Sequence, residues 1–258
     1  MVKIALDAGH GIETPGKRTP TGEREWAFND KVVRYAMAKL TEYENVQLLR
    51  TDDASGRTDA PLVVRTNQAN NWKADIFVSV HHNALGSSWG NHEGAETFVY
   101  IPMSKNPQSK KLADCVHPHI IKAMQTKDRG IKDANFAVLR NSNMPAILTE
   151  GGFMDSRSDI KKMRNDKFLK AQGEAIALGI VEYFGLKAKA LPKPIVTTPE
   201  VKGVSKMEVY KKDASADRSF VEAQKYVKER GISDGTYPQR PVTRQEVWAM
   251  IRNSELNK

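Results

Sequence analysis

Val2-Lys3-Ile4-Ala5-Leu6 runs directly into Asp7-Ala8-Gly9-His10-Gly11 near the start of the chain, and this stretch decides the fold. The first five residues read as a short buried strand, and the glycines on either side of His10 permit a tight turn at its exit. Trp26, Val33, Ala36, Met37 and Leu40 share one helical stripe. The spacing predicts a helix that begins near Glu25, after a Gly/Pro/Thr-rich loop from Ile12 to Gly22. Val46 to Leu49 suggests a second strand. Pro61 then suits the first turn of a helix reaching about Trp72, and Ile76-Phe77-Val78-Ser79-Val80 gives a third strand with His81 directly after it. Further strands are expected at Glu96 to Ile101 and Phe136 to Leu139, and Pro145 to Thr149 leads into Glu150. A helix around Cys115 lies between them, and a last helix from about Asp166 to Phe184 stops at Gly185. This alternation implies an α/β fold, a mostly parallel twisted sheet flanked by helices on both faces, with a small helical C-terminal module.

The chain has 258 residues, of which 40% are hydrophobic and 28% charged, and this balance excludes a disulfide scaffold or a disordered chain. The expected organisation is a catalytic domain at 1–186, a Pro-rich linker at 187–203 and a small module at 204–258. Three prolines between 192 and 199 stiffen the linker towards an extended form. No apolar run approaches the roughly 20 residues of a membrane span, and no signal peptide is evident at the start. Cys115 is the single cysteine, so an internal disulfide and a cysteine-rich metal site are excluded. Leu112, Val116, His119, Ile120 and Ala123 recur at helical spacing and would carry Cys115 on a buried face, as an inert core residue. Residues 187–258 hold 15 lysines and arginines against 9 acids, so the tail carries +6 of the net +9. Such charge attracts nucleic acid, an anionic membrane or an anionic wall polymer without identifying which.

His10, Glu25 and His81 belong to separate elements, and in an open α/β sheet the strand ends are where separate elements converge on a site. Two neutral imidazoles and a carboxylate would give one Zn2+ ion three protein ligands and leave a fourth position for water, whose pKa the metal lowers towards about 7. Glu150 would accept the water proton and pass it to a leaving amine. Each residue also has a bland reading at this point. His10 as a loop residue capping a helix, Glu25 as a first-turn carboxylate favouring the helix dipole, and Glu150 as a charge surfacing at a strand end all fit the same spacing. His81 and His82 point to opposite sides of a strand, so one faces the site and the other away. His92, His117 and His119 have no partner spacing and default to surface or core roles.

Four motifs taken together resemble the zinc-dependent N-acetylmuramoyl-L-alanine amidases of the type-3 family. They are Asp7-Ala-Gly-His10-Gly, Glu25 with Asn29 four residues on, Ser79-Val-His81-His-Asn83-Ala, and Pro145-Ala-Ile-Leu-Thr-Glu150-Gly-Gly-Phe-Met. The resemblance covers about residues 1–186. It departs from the family at Ala8, where proline is frequent, at Trp26, where lysine is frequent, and at Gly151, where asparagine or threonine is frequent. It implies a zinc site from His10, Glu25 and His81, Glu150 as the catalytic glutamate, and cleavage of peptidoglycan between the lactyl group of N-acetylmuramic acid and L-alanine. Asn83, Arg65 and Arg140 fall in family-like stretches and are candidates for substrate contact, although arginines at such places equally serve as structural ion-pair partners. A binding protein that recognises glycan without turnover and a metallo-carboxypeptidase that trims stem peptides are the competing readings.

In the tail, Phe220 to Pro238 followed by Val242-Thr-Arg-Gln-Glu-Val-Trp-Ala-Met-Ile251 resembles one S-layer-homology repeat. Thr243 with Glu246 also reads as an ordinary capping box. The likeness implies binding to an anionic cell-wall polymer, with Arg244 the contact, and no nucleic-acid role. A module of about 55 residues buries little surface alone, so dimerisation through it or docking on the core would help to stabilise it. Synthesis in the cytoplasm without a signal peptide, and action on the wall after release through phage-made membrane holes or mother-cell lysis, is the expected localisation of such an endolysin or sporulation-associated hydrolase.

Overall fold

A computed structural model describes residues 1–190. The greater part of the 187–203 linker, the 204–258 module, Arg244 and any dimer contact lie outside the described residues. The order of elements is β1 (Val2–Ala8), α1 (Glu25–Leu40), β2 (Val46–Arg50), α2 (Leu62–Trp72), β3 (Ile76–Asn83), β4 (Ala95–Tyr100), α3 (Pro107–Met124), β5 (Asp128–Ala134), α4 (Ala137–Arg140), β6 (Ala146–Phe153), α5 (Asp159–Met163) and α6 (Asp166–Phe184). The six strands form one sheet in the order β2-β1-β3-β6-β4-β5. Every neighbouring pair is parallel except β4 with β6.

Alternation along the strands creates two cores. Ile4, Leu6, Ile76 and Val78 point to one face and pack with Val33 and Ala36 of α1, Val116 and Ile120 of α3, and Ile176 and Ile180 of α6. Ala5, Phe77 and Leu148 point to the other, against Ala69 of α2 and Val138 and Leu139 of α4. Strands covered on both faces read as continuous apolar runs, which is why β1 and β3 were legible from sequence. Among the described residues no helix is long and apolar enough to cross a membrane.

Three expectations need correction. Phe136 to Leu139 is not a strand: Phe136 is extended, and α4 begins at Ala137 and sends Val138 and Leu139 into the second core. A short apolar run has the same composition in either form. The strand of this region is β5, an edge strand whose Asp-Arg-Gly-Ile-Lys-Asp-Ala sequence is largely half-exposed and therefore lacks an apolar signal. Secondly, β3 and β6 continue past their apolar stretches, so that His81 and Glu150 lie within the ladder, in register with each other. Thirdly, the buried face of α3 carries His117, not His119, and Cys115 sits half-buried at its margin.

Helix α6 approaches its neighbours through two glycines. A Cβ added at Gly173 would stand 2.5 Å from the Val32 carbonyl oxygen of α1, and one at Gly179 would stand 2.5 Å from Val116 Cα of α3. At Gly179 the obstacle is backbone, which cannot swing aside. Alanine in a helix interior gains about 1 kcal/mol over glycine, whereas overpacking a tight contact costs about 1–3 kcal/mol. Gly179→Ala is therefore expected to lower stability, read as a fall in the thermal or denaturant midpoint despite its higher helix propensity.

Candidate metal centre

The centre begins with a strained turn. Beyond β1 the backbone at His10 has φ 67°, in the left-handed region that non-glycine residues rarely occupy. Arg65 of α2 holds it there. Its Nε donates to Ala60 O (2.8 Å), Nη1 to Asp7 Oδ1 (2.8 Å) and Ala8 O (2.7 Å), and Nη2 to His10 O (2.9 Å) and Asp59 Oδ1 (2.9 Å). All five guanidinium N–H groups are thus engaged. Arg65 is 1% exposed and lies beneath the turn, away from the cleft lining. Asp7 also accepts from Thr51 Oγ1 and Ser79 Oγ, and Gly9 N donates to Val80 O, which ties the turn to β3.

Glu25 sits in the first turn of α1, 3% exposed, between two imidazoles. His81 Nδ1 is 3.0 Å from its Oε1 and His10 Nε2 is 3.3 Å from its Oε2. The two rings meet edge to face with centroids 4.9 Å apart. One ligand atom from each of the three residues lies within 4.8 Å of the others. Nitrogen and oxygen ligands about 2.1 Å from a zinc ion at tetrahedral angles stand about 3.4 Å apart, so the carboxylate–imidazole spacings fit that metal, as does the donor set. Burial, assisted by the charges of His81 and Lys17, holds His10 down to about 4. Burial pushes the Glu25 carboxyl up, but hydrogen bonding and charge from His81, with further help from His10 and Lys17, carry it down to about 2. A neutral His10 and an ionised Glu25 are the protonation states that metal ligation requires.

A supporting layer orients these side chains. Asn29, one turn beyond Glu25, donates to Glu25 Oε1 (3.3 Å) and Gly9 O (3.1 Å). His82 points away from the cluster and is fully buried, its ring nitrogens bracketed by the Asn29 and Gln172 amides at 2.8 and 3.1 Å. Burial holds it at about 4, as a neutral strut between α1 and α6.

Glu150 lies across the ladder from His81 on one side and Glu96 on the other. Its Oε2 is shielded from solvent and, among the described residues, has no hydrogen-bond partner. Burial, with the neighbouring charges of Glu25 and Glu96, pushes its carboxyl well above the usual range. Glu96 itself is fixed by Arg129 Nε (2.9 Å), by Lys132 and by Asn83 Nδ2 (2.8 Å). Asn83 lines the cleft, although its amide donates to Glu96 and its Oδ1 accepts from Ala84 N. Arg140 is exposed at the end of α4, bonded to Asn135, and lies outside the cleft lining. The cleft above the centre, about 760 Å³, is walled by the loop from Pro15 to Gly22 and by residues 84–87. Sequence reasoning missed Glu96. Its signal was a charge on the same strand face as Phe98 and Tyr100, where an apolar residue belongs.

The profile of the N-acetylmuramoyl-L-alanine amidase family matches residues 4–182. A sporulation-specific N-acetylmuramoyl-L-alanine amidase of Bacillus subtilis is 39% identical over 190 residues, covering 72% of this chain and 70% of the relative. An endolysin of Bacillus phage SPP1 is 37% identical over 191 residues, covering 72% of this chain and 68% of that protein. Among solved structures, the catalytic domain of CwlV, an N-acetylmuramoyl-L-alanine amidase from Bacillus (Paenibacillus) polymyxa var. colistinus, superposes with a TM-score of 0.66 at 31% identity, covering 72% of this chain and all of that one.

Gly9 tests the candidate centre without removing any of its three side chains. A Cβ there would stand 2.1 Å from His81 Cε1, so the ring would have to move. Gly9→Ala is expected to keep the fold and to weaken binding of a divalent metal by about tenfold or more, as loss of ligand positioning typically does. Competition titration against a chelator reads this; unchanged affinity would show that the ring is not held by that contact.

Proposed function

The chain belongs to the N-acetylmuramoyl-L-alanine amidase family, and from that premise we propose that it hydrolyses the amide between N-acetylmuramic acid and the L-alanine of the stem peptide at a single zinc ion. The observation that carries this reading is the convergence of His10, Glu25 and His81 within 4.8 Å, with the orphaned carboxylate oxygen of Glu150 across the ladder from His81.

In this reading His10 Nε2, His81 Nδ1 and one oxygen of Glu25 hold the metal. Zinc, when bound, supplies Lewis-acid polarisation of the scissile carbonyl and makes water more acidic. Arg65 and Asn29 keep the ligands in place, through the His10 turn and the Glu25 carboxylate respectively. Glu150 takes the proton from water and delivers it to the departing L-alanine nitrogen, which leaves poorly as an anion. Two features suit it to that work. Among the described residues its Oε2 has no competing hydrogen bond, and burial lifts its carboxyl well above the usual range, which makes its carboxylate form a stronger base. Glu96, clamped by Arg129 and Lys132, remains a fixed negative neighbour that sustains this lift. In the same reading residues 187–203 carry an S-layer-like module whose Arg244 meets an anionic wall polymer.

Glu150→Gln is expected to retain one zinc per chain while release of L-alanine amino termini from purified walls falls by about 10²–10⁴-fold. Metal analysis and end-group assay together read this, and mass spectrometry of the products separates amidase from peptidase cleavage. Full activity in that variant would remove Glu150 from the chemistry. Removal of residues 187–258 is expected to spare hydrolysis of soluble muropeptide while weakening sedimentation with whole walls; equal sedimentation would detach the tail from targeting.

A further inference from the structure

The wall of the cleft carries two cations to which the chemistry above gives no contact with substrate. Lys17 and Arg18 both line it, both are exposed, and among the described residues neither forms an ion pair. The other basic groups around this loop are engaged: Arg24 with Glu13 at 3.5 Å, and Arg164 with Glu23 at 2.6 Å. A lone lysine on a surface loop is ordinarily a solvated charge, so the loop's construction matters.

That construction is rigid. Lys17 O accepts from Glu25 N at 3.0 Å, which fixes its backbone one hydrogen bond away from a metal ligand. Thr19 N donates to Glu23 O at 2.8 Å, and Thr19 Oγ1 to Glu23 Oε2 at 2.7 Å. Arg164, at the end of α5, clamps Glu23 through Nε and Nη2 at 2.6 and 2.8 Å. Lys17 and Arg18 therefore project from a segment stitched to α1 at one end and to α5 at the other. Two unpaired positive charges at the wall of a cleft attract an anionic group of a substrate seated in it.

We propose that Lys17 and Arg18 form a subsite for a carboxylate of the stem peptide, one residue beyond the scissile amide. This rests on the amidase reading, which sets the scissile bond over the centre. In muramoyl peptides L-alanine is followed by an acidic residue joined through its side chain, whose α-carboxyl is free in some walls and a carboxamide in others. An extended chain advances about 3.3–3.6 Å per residue, so that carboxyl lies about 7 Å from the scissile bond, within reach of a lysine anchored beside Glu25. An ionised pair at a cleft wall discriminates the acid from the amide, because the neutral carboxamide loses the charge-assisted bonds.

The test uses two soluble probes, N-acetylmuramoyl-L-alanyl-D-glutamate and the corresponding D-isoglutamine compound. Their dissociation constants are measured by calorimetry on the zinc-loaded 258-residue chain carrying Glu150→Gln, so that turnover does not intervene. The acid is expected to bind about tenfold more tightly than the amide. With Lys17→Met and Arg18→Met added the ratio should fall to about 1, and with Lys17→Glu alone the preference should reverse. A ratio near 1 before these changes, or one that survives them, overturns the subsite. The unaltered enzyme is assayed in parallel for release of L-alanine amino termini from either probe. Discrimination without release overturns the amidase reading and leaves only carboxylate recognition by Lys17 and Arg18 standing, without its placement relative to a scissile bond, whereas release without discrimination overturns the subsite alone.

Discussion

Arg65 beneath the His10 turn is the interaction on which the rest of the centre depends. A buried guanidinium is costly unless every donor finds an acceptor, and here all five do. Its acceptors are three carbonyls and two carboxylates drawn from the end of β1, the turn itself and the 59–60 segment before α2. The arrangement fixes the main chain of a residue in the left-handed region, a conformation that costs about 1–3 kcal/mol and persists only where its surroundings over-determine it. The strain is useful because it turns the His10 ring towards Glu25 instead of letting it follow the strand.

Two carboxylates within one cleft are driven in opposite directions by their neighbours. Glu25 is flanked by imidazoles and receives hydrogen bonds from Asn29 and the His82 backbone, so its ionised form is favoured in spite of burial. Glu150 is buried beside two acidic neighbours and has one oxygen without a partner among the described residues, so its ionised form is disfavoured. Separation of this kind suits the two groups to the different roles proposed for them, Glu25 to ligation and Glu150 to proton transfer. It is built by strand pairing, since the register that sets Glu150 beside His81 also sets Glu96 beside Glu150.

Strands β1 and β3 and helices α1 and α6 were readable because each buries a continuous run or a full stripe, and periodicity reports burial. Edge strand β5 was not, because a half-exposed edge imposes no apolar pattern. The short helix α4 was misread for the opposite reason: its apolar residues are buried, but four residues are too few to distinguish the two periods. Arg65 drew attention as a substrate contact, since a sequence presents an arginine without its burial. Its position below the turn is a product of α2 packing against the sheet.

The α/β class and the order of elements from β1 to β3 were determined by the sequence, because local periodicity is written residue by residue, and four motifs resembling one family singled out His10, Glu25, His81 and Glu150. Tertiary structure alone decided that those residues share one cleft, that Glu96 tunes Glu150, and that Lys17 and Arg18 face the same space. Charge interactions fall with distance through space and not along the chain, and residues as far apart as Lys17 and Glu150 become neighbours only when the sheet is assembled.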